Sequence, residues 1–352
     1  MAATKVSAER LRRDVERLPA PRSRLHSPAR MAAADEMIGD GLSAAGWKVE
    51  SRPYEFTDVA GYLDYAEGPF PAGSKLKFYP HLAGVNVLGI KEGIASTDAI
   101  VVGAHHDTVR DSPGADDNTA SVAALLELAR VLSPYRFERT IVLAAFDMEE
   151  IHYFGSRALV AQLARERRIT GAIIYESVAY MDPRPHSQSW PRRLGLLYPG
   201  QRREIGRRRF AGDWNLVVYR RSARALARAF TAGLAMTAGP AAAISMCDWT
   251  DLPAIGRLLK LCIPAMANFA RSDHLAFWKA GIPAMMVTDT GDLRNPHYHQ
   301  PTDTPETLDY ARLAAIVGAT AIALARLAHL AAPVQPGSSD SSGSSGGPGG
   351  PA

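Results

Sequence analysis

The amino-acid sequence predicts a three-layer α/β/α sandwich built around a mostly parallel, mixed central sheet. Continuous apolar runs at 99–104 and 140–146 are typical of strands buried on both faces. These runs alternate along the chain with stretches of helical periodicity, which is the pattern of a parallel sheet covered by helices. The chain has 352 residues, of which 47% are hydrophobic, so it can bury a sizeable core as one unit.

The individual elements follow from local patterns. The first long helix is predicted over 29–46, because a helical pattern there ends at Gly46. Apolar residues recur at helical spacing through 118–132, which predicts a second helix behind the strand at 99–104. The remaining predicted strands are 86–90, 171–175, 214–219 and 283–288, and the remaining predicted helices are 154–165, 222–234, 272–280 and 308–330.

Residues 1–332 are predicted to form a single domain. The last stretch, 333–352, consists of Gly, Ser and Pro apart from a few residues, so it cannot bury apolar surface and is predicted to be a disordered tail. Cys247 and Cys262 are the two cysteines, too few for a disulfide scaffold. A bridge between them and two buried free thiols both remain open.

Charge and hydropathy exclude several classes of protein. The formal net charge is +4, with arginines concentrated between 202 and 221, but no aromatic stacking pattern accompanies them and nucleic-acid binding is not expected. No stretch of 18 uninterrupted apolar residues occurs, so no membrane span is expected. The first residues lack an apolar signal region, and a cytoplasmic protein is the expectation.

The first chemistry-bearing motif leaves the strand at 99–104 and enters a loop. His105 is a candidate metal ligand, and Asp107 can accept the second ring N–H and fix the tautomer. A polar turn capped by these two residues is the alternative when the motif is taken alone.

Two pairs of neighbouring acids follow. Asp116 and Asp117 precede a helix, where helix capping explains one acid well and two less well. Glu149 and Glu150 directly follow a buried strand, where adjacent carboxylates are costly unless paired or metal-bound. One of these glutamates can bind metal while the other acts as a general base.

The remaining candidates lie at the next strand end and in a late loop. Glu176 is placed directly at a strand end and is preferred over Asp182 as a ligand. His299 is the preferred ligand and His297 the alternative, and the phenol of Tyr298 can donate to a developing oxyanion. Imidazoles and carboxylates suit zinc, and two zinc ions about 3.5–4 Å apart can share a bridging carboxylate.

The ordered set of motifs resembles the M28 zinc peptidases. The resemblance rests on H-x-D, then GADDNTAS, then the adjacent glutamates, then an acid at the next strand end, then YHxxDT, and it covers about residues 25–330. It implies a zinc exopeptidase-like fold and two zinc ions bridged by Asp117. The implied ligands are His105, Asp117 and Glu176 for one ion, and Asp117, Glu150 and His299 for the other. It further implies Glu149 as general base, Asp107 as support for His105, Tyr298 as oxyanion donor and a cis Asp117–Asn118 peptide.

The implied function is that of a dizinc aminopeptidase acting on short peptides. Better-studied members have Asp where this chain has Glu176, which puts strict aminopeptidase specificity in doubt. An insertion at 183–222, rich in Arg and Pro, follows this ligand and is predicted to lie near the cleft. The alternatives are a related amide hydrolase, a carboxypeptidase, a glutaminyl-cyclase-like enzyme with one zinc, and a binding scaffold without catalysis.

Overall fold

The computed structural model describes residues 6–62, 76–252 and 255–333. The strands are β1 (Lys48–Tyr62), β2 (Leu76–Lys91), β3 (Ser96–His105), β4 (Tyr135–Phe137), β5 (Arg139–Phe146), β6 (Ile169–Glu176), β7 (Asn215–Tyr219), β8 (Ala243–Cys247), β9 (Ala284–Thr288) and β10 (Leu330–Pro333). The helices are α1 (Ala8–Arg17), α2 (Pro28–Ala44), α3 (Ala120–Leu132), α4 (Phe154–Glu166), α5 (Leu194–Leu197), α6 (Pro199–Arg207), α7 (Arg224–Ala238), α8 (Ile255–Cys262), α9 (His274–Lys279) and α10 (Tyr310–Leu327).

The central sheet has eight strands in the order β1-β2-β5-β3-β6-β9-β7-β8. Its middle, β5-β3-β6-β9, is parallel throughout. The pairs β1–β2, β2–β5 and β7–β9 are antiparallel, so the sheet is mixed. A separate two-stranded sheet joins β4 and β10. Because β3 is parallel to both of its neighbours, β5 and β6, the carboxyl ends of these three strands lie side by side at one edge of the sheet.

Helices cover both faces of the sheet, which confirms the predicted α/β sandwich. Alternate residues of β3 point to opposite faces, with Ile100 and Val102 in the core on one side and Ala99 and Val101 in the core on the other. The first core packs against α1, α2, α3, α7 and α10, and the second against α4, α5, α6 and α9. Burial of the central strands on both faces explains their uninterrupted apolar sequences.

The structure changes some predicted boundaries. The helix predicted over 118–132 begins at Ala120, because Asp117 and Asn118 have non-helical backbone angles. The first long helix ends at Ala44 and is followed by Gly46, whose φ of +77° suits a residue without a side chain. The predicted segment 308–330 contributes α10 and then turns into β10.

Helix α10 is long and apolar enough to cross a membrane by length and composition alone. Half of its 18-residue window is buried inside the protein, and Leu313, Ile316 and Leu324 are fully buried in the first core. Arg312 interrupts its apolar sequence and donates to the carbonyl oxygens of Ala242 and Asp213. The helix therefore packs as a core element of the sandwich.

The segment 183–222 is only partly a surface insertion. It forms α5 and α6, but its residues 215–219 are β7, a strand of the central sheet.

The tail predicted at 333–352 lies outside the described residues apart from its first position. Both cysteines are free thiols, and Cys262 is exposed, so the expectation of two buried thiols is wrong for this residue.

Candidate metal centre

Five predicted ligands converge at the carboxyl edge of the parallel strands. His105, Asp117 and Glu176 form one group, and Asp117, Glu150 and His299 form a second. Within each group the candidate ligand atoms lie within 4.8 Å of one another, and all five side chains are buried. The structure thus brings together the five residues that the sequence analysis preferred as ligands.

The sheet explains how residues far apart in sequence meet. His105 is the last residue of β3, Glu176 is the last residue of β6, and Glu150 follows β5 by a short turn. In the parallel register, His105 pairs with Phe146 of β5, and its neighbour Ala104 pairs with Tyr175 of β6. The three side chains therefore leave adjacent strands at one level of the sheet.

Asp117 belongs to both ligand groups and lies between their two histidines. Its Oδ1 lies 3.1 Å from His105 Nε2, and its Oδ2 lies 3.1 Å from His299 Nε2. The Asp117–Asn118 peptide is cis, as the family resemblance implied. Gly114 supports this turn with a φ of +62°, and a side chain there would meet the Asp117 carbonyl oxygen at 2.3 Å.

The remaining ligands lie just outside these contacts. Glu150 Oε2 is 3.3 Å from His299 Nε2, and Glu176 Oε2 is 3.5 Å from His105 Nε2. The general-base candidate Glu149 approaches the same His105 nitrogen to 4.0 Å. Together with the contacts of Asp117, these distances place its two carboxylate oxygens toward different imidazoles, Oδ1 toward His105 and Oδ2 toward His299. A bridging carboxylate needs this arrangement.

The donor set fits divalent metal ions of the zinc type. Among the described residues, His105 Nε2, both Asp117 carboxylate oxygens and Glu150 Oε1 are buried without a well-aligned hydrogen bond. Buried polar atoms without partners are costly, so such a concentration at one point requires an explanation. Nitrogen and carboxylate oxygen donors converging on one point are the ligands that zinc takes in proteins.

Charges of opposite sign compensate one another at this edge of the sheet. Burial would raise the pKa of Asp117, but His105 and His299 outweigh it and hold that pKa well below its usual range. Burial would lower the pKa of His299, but Glu150 and Asp117 raise it to about 10. Burial, with Asp117 adding to it, raises the pKa of Glu150 to about 7.

Asp107 connects the two ligand loops. Its Oδ1 lies 3.3 Å from His105 Nδ1, and its carbonyl oxygen lies 3.1 Å from the same nitrogen. Its carboxylate also accepts the backbone N–H groups of Glu149 and Glu150, at 3.1 and 3.3 Å. The residue nominated to orient His105 therefore also fixes the backbone of the adjacent glutamates.

A second carboxylate fixes the turn that carries Asp117. Asp303 accepts the backbone N–H groups of Asp116 and Asp117, at 2.9 and 3.2 Å. Asp116 itself points away from the ligands and accepts from the Ala179 backbone and from Asn295. Asp303 is the aspartate of the YHxxDT motif, but its contact with the Asp117 turn has no local sequence signal.

Ser272 is a contact that sequence reasoning missed. Its hydroxyl, buried just before α9, donates to Glu176 Oε2 at 2.8 Å. The sequence analysis placed Ser272 only at the start of a predicted helix, and no local pattern there indicates a contact with Glu176. The next histidine, His274, is buried, and its Nε2 lies 2.7 Å from the Phe269 carbonyl oxygen, so it acts in the local structure.

The alternative ligands are held elsewhere. His297 Nδ1 lies 2.9 Å from the Thr302 hydroxyl. Asp182 accepts from the Arg184 guanidinium and backbone and lies in an isolated bridge with Gly212. Neither belongs to the two ligand groups.

Two phenols lie beside the candidate ligands. The Tyr298 ring stacks on His299 with 4.0 Å between ring centroids. Burial raises the pKa of Tyr298 well above its usual value, and Asp117 adds to this effect. Burial also raises the pKa of Tyr153, with Glu149 adding to it. Tyr153 is thus a second phenol near Glu149, and the sequence analysis did not nominate it.

A cavity opens beside the ligands. It encloses about 760 Å³ of empty space, part of it open to solvent, and Glu176 and Tyr298 form one side of it. Its walls are mainly apolar and include Trp190, Leu194, Trp214, Leu216, Phe269 and Met286. The 183–222 segment supplies the first four of these residues, so that segment shapes the cavity.

Comparison with known proteins agrees with the fold and identifies the family. A profile of Peptidase family M28 matches residues 86–203 and 254–324, more than half of the sequence. The chain therefore belongs to peptidase family M28, and its class is that of a metallopeptidase.

Two relatives share parts of the sequence. The uncharacterized protein YfbL of Escherichia coli (strain K12) is 33% identical over 237 residues, which are 64% of this chain and 66% of that protein. Aminopeptidase YwaD of Bacillus subtilis (strain 168) is 37% identical over 94 residues, which are 26% of this chain and 21% of that protein. The chain thus matches just under two thirds of the first relative and about one fifth of the second.

Solved structures share the architecture at low sequence identity. An aminopeptidase from Aneurinibacillus sp. strain AM-1 superposes with a TM-score of 0.64 at 16% identity, covering 95% of this chain and 97% of that chain. The glutaminyl cyclase of Porphyromonas gingivalis superposes with a TM-score of 0.59 at 16% identity, covering 91% of this chain and 98% of that chain. At such identities the likeness establishes the fold.

Proposed function

We propose that this protein is a zinc-dependent aminopeptidase that removes N-terminal residues from short peptides. The observation that carries the proposal is that two ligand groups share Asp117, whose carboxylate oxygens each face a different imidazole. In this proposal two zinc ions bind, one held by His105, Asp117 and Glu176 and the other by Asp117, Glu150 and His299. The names of related aminopeptidases agree with this activity.

The chemistry that bound zinc supplies is Lewis-acid catalysis, which polarises the scissile carbonyl and acidifies a water molecule. Glu149 takes the proton of the attacking water at its carboxylate and delivers it to the leaving amine. The Glu149 side chain is buried, so a proton held there between these transfers is shielded from bulk solvent. Tyr298 donates a hydrogen bond to the oxyanion, and Asp107 holds His105 in one tautomer.

The cavity beside Glu176 binds the side chain of the N-terminal residue. Its mainly apolar walls favour large apolar side chains over charged ones. Because Glu176 lies at the junction of cavity and ligands, a free α-ammonium group bound there would find a carboxylate. Leu, Met and Phe are therefore the expected N-terminal residues.

A second candidate function keeps the fold and changes the reaction. The longer Glu176 side chain departs from the aspartate expected of the aminopeptidases, and a glutaminyl cyclase shares this architecture. A related amide hydrolase or carboxypeptidase would likewise use the same ligands. The number of bound zinc ions separates a cyclase, which typically works with one ion, from the proposed enzyme with two.

The test is hydrolysis of aminoacyl-p-nitroanilides and their Nα-acetylated counterparts by untreated, chelated and zinc-restored protein, with the zinc content measured in parallel. Zinc-restorable cleavage of the free-amine substrates alone, with about two ions per chain, is the expected result. Cleavage of the acetylated set, or cyclisation of N-terminal glutamine with one ion bound, would move the assignment to the second candidate. No turnover with two ions bound would contradict the aminopeptidase proposal.

A further inference from the structure

An N-terminal segment contacts the loops that carry the ligands. Residues 19–24 lie between α1 and α2, and within them Arg22 is completely buried. A buried guanidinium is costly unless its N–H groups are used by well-placed acceptors. The acceptors of Arg22 therefore show what this segment is built to hold.

Arg22 joins two of the ligand loops. Its Nε donates to the carbonyl oxygen of His106, the residue after His105. One terminal nitrogen donates to the Thr119 hydroxyl at 2.9 Å, two residues beyond Asp117, and the other donates to the Pro19 carbonyl oxygen at 3.0 Å. A single planar side chain thus bridges the His105 loop, the Asp117 turn and its own segment.

Backbone contacts fasten the same segment to the His105 loop. The Arg22 N–H donates to the Thr108 hydroxyl at 3.0 Å, and the Thr108 N–H donates back to the Arg22 carbonyl oxygen at 2.8 Å. Burial lowers the pKa of Arg22 to about 10, with nearby Asp107 opposing the shift. The side chain therefore remains charged at neutral pH.

Arg24 reaches the third ligand loop. Its Nε donates to Asp147 Oδ2 at 2.7 Å, and Asp147 is completely buried two residues before Glu149. Arg24 also pairs with Asp35 of α2, whose other oxygen lies 2.8 Å from His106 Nε2. The contacts of Arg24 therefore end on the loop of the adjacent glutamates and on the neighbour of His105.

We infer that Arg22 and Arg24 are positioning residues of the metal centre, which hold the His105, Asp117 and Glu149–Glu150 loops in the geometry that binds metal. This inference rests on the proposed function only in that the site binds zinc. Partners that orient ligands through such contacts typically contribute 10–100-fold to metal affinity. Without them, part of the binding energy would be spent on ordering three loops.

The test replaces each arginine by lysine in the full chain, because lysine keeps the charge and loses the planar fork. Zinc affinity of the metal-free proteins is measured by competition with a chromophoric chelator, alongside circular dichroism and thermal unfolding. Arg10→Lys is the matched control, because Arg10 anchors the same N-terminal region to the buried Glu127 on α3, away from the ligands.

For Arg22→Lys and Arg24→Lys, we expect zinc affinity to fall about 10–100-fold in folded protein and activity to return at saturating zinc. Arg10→Lys should lower the unfolding temperature while zinc affinity stays at the wild-type value. If folded Arg24→Lys, the milder of the two changes, binds zinc with wild-type affinity, the inference is overturned. This holds even if the unfolding temperature of the variant changes. The zinc-affinity measurement, which decides the inference, uses no peptide. Wild-type protein that binds zinc and cleaves nothing would therefore contradict the aminopeptidase assignment alone.

Discussion

The Ser272 hydroxyl donates a 2.8 Å hydrogen bond to Glu176 Oε2, the same oxygen that lies 3.5 Å from His105 Nε2. A glutamate has one more rotatable bond than an aspartate, so its carboxylate needs a further contact to stay in one place. Ser272 supplies that contact from the start of α9. The longer side chain at this position is therefore accommodated by a partner 96 residues away in sequence.

Replacing this serine should weaken metal binding. In Ser272→Ala we expect the zinc affinity to fall about 10–100-fold, as for other partners that orient a ligand, because Glu176 loses its fixed rotamer. Ser121→Ala, which removes a buried hydroxyl without a hydrogen-bond partner among the described residues, is the control. Equal zinc affinities of the two variants, measured by chelator competition, would show that Ser272 does not orient Glu176.

Removing the carboxylate of Glu149 should separate metal binding from turnover. Glu149→Gln keeps the shape of the side chain and its backbone N–H bond to Asp107 but cannot accept a proton. We expect kcat to fall by about 10²–10⁴-fold while zinc content stays at the wild-type level. The exposed Glu138→Gln serves as the comparison. A variant retaining more than a tenth of wild-type kcat would reassign the general base.

The wall of the cavity should set the side-chain preference. Trp190→Ala removes a large apolar surface from one wall. We expect kcat/KM for Phe and Leu substrates to fall about 10–100-fold, because apolar pocket contacts are worth about 1–3 kcal/mol, with little change for Ala substrates. Phe78→Ala, at an exposed position on β2, is the control. A uniform loss across all substrates would show that Trp190 supports the fold and does not select the side chain.

His274 should make the fold sensitive to acid. Burial lowers its pKa from 6.5 to about 4, so the folded protein binds a proton here less readily than the unfolded chain. The contribution of neutral His274 to the free energy of unfolding is therefore fully present above pH 6.5 and is lost as the pH falls toward 4. This amounts to about 3 kcal/mol in the free energy of unfolding.

The measurement compares wild type with His274→Gln by denaturant unfolding of metal-free protein at several pH values. Subtracting the two curves removes the pH dependence of the other titratable groups. We expect the stability advantage of wild type to shrink steadily between pH 6.5 and pH 4. A constant difference over this interval would mean that His274 carries its proton equally in both states.

The sequence alone predicted most of the sheet centre and the ligands that follow it. Buried parallel strands are recognisable as apolar runs, and His105 and Glu176 could be placed because each ends such a strand. The long strand β1 escaped prediction because it lies at the sheet edge and most of its side chains are only half-buried or exposed, which leaves no apolar pattern.

Contacts between distant residues were beyond sequence reasoning for a different reason. Arg22 has the local appearance of any surface arginine, and only the assembled fold shows that its side chain is buried. Asp303 likewise receives its role from the Asp117 turn, 186 residues earlier in the chain. Neither relationship leaves a periodicity or a local motif, since both depend on packing between separate elements.

The position of His299 and Asp303 near the end of the fold has a consequence for biosynthesis. The backbone N–H of Asp117 has its acceptor only once Asp303 has been synthesised, and the second ligand group is incomplete until His299 is present. Chains emerge from the ribosome N-terminus first, so β3, β5 and β6 are available long before these residues. A nascent chain therefore passes most of its synthesis without the complete set of candidate ligands.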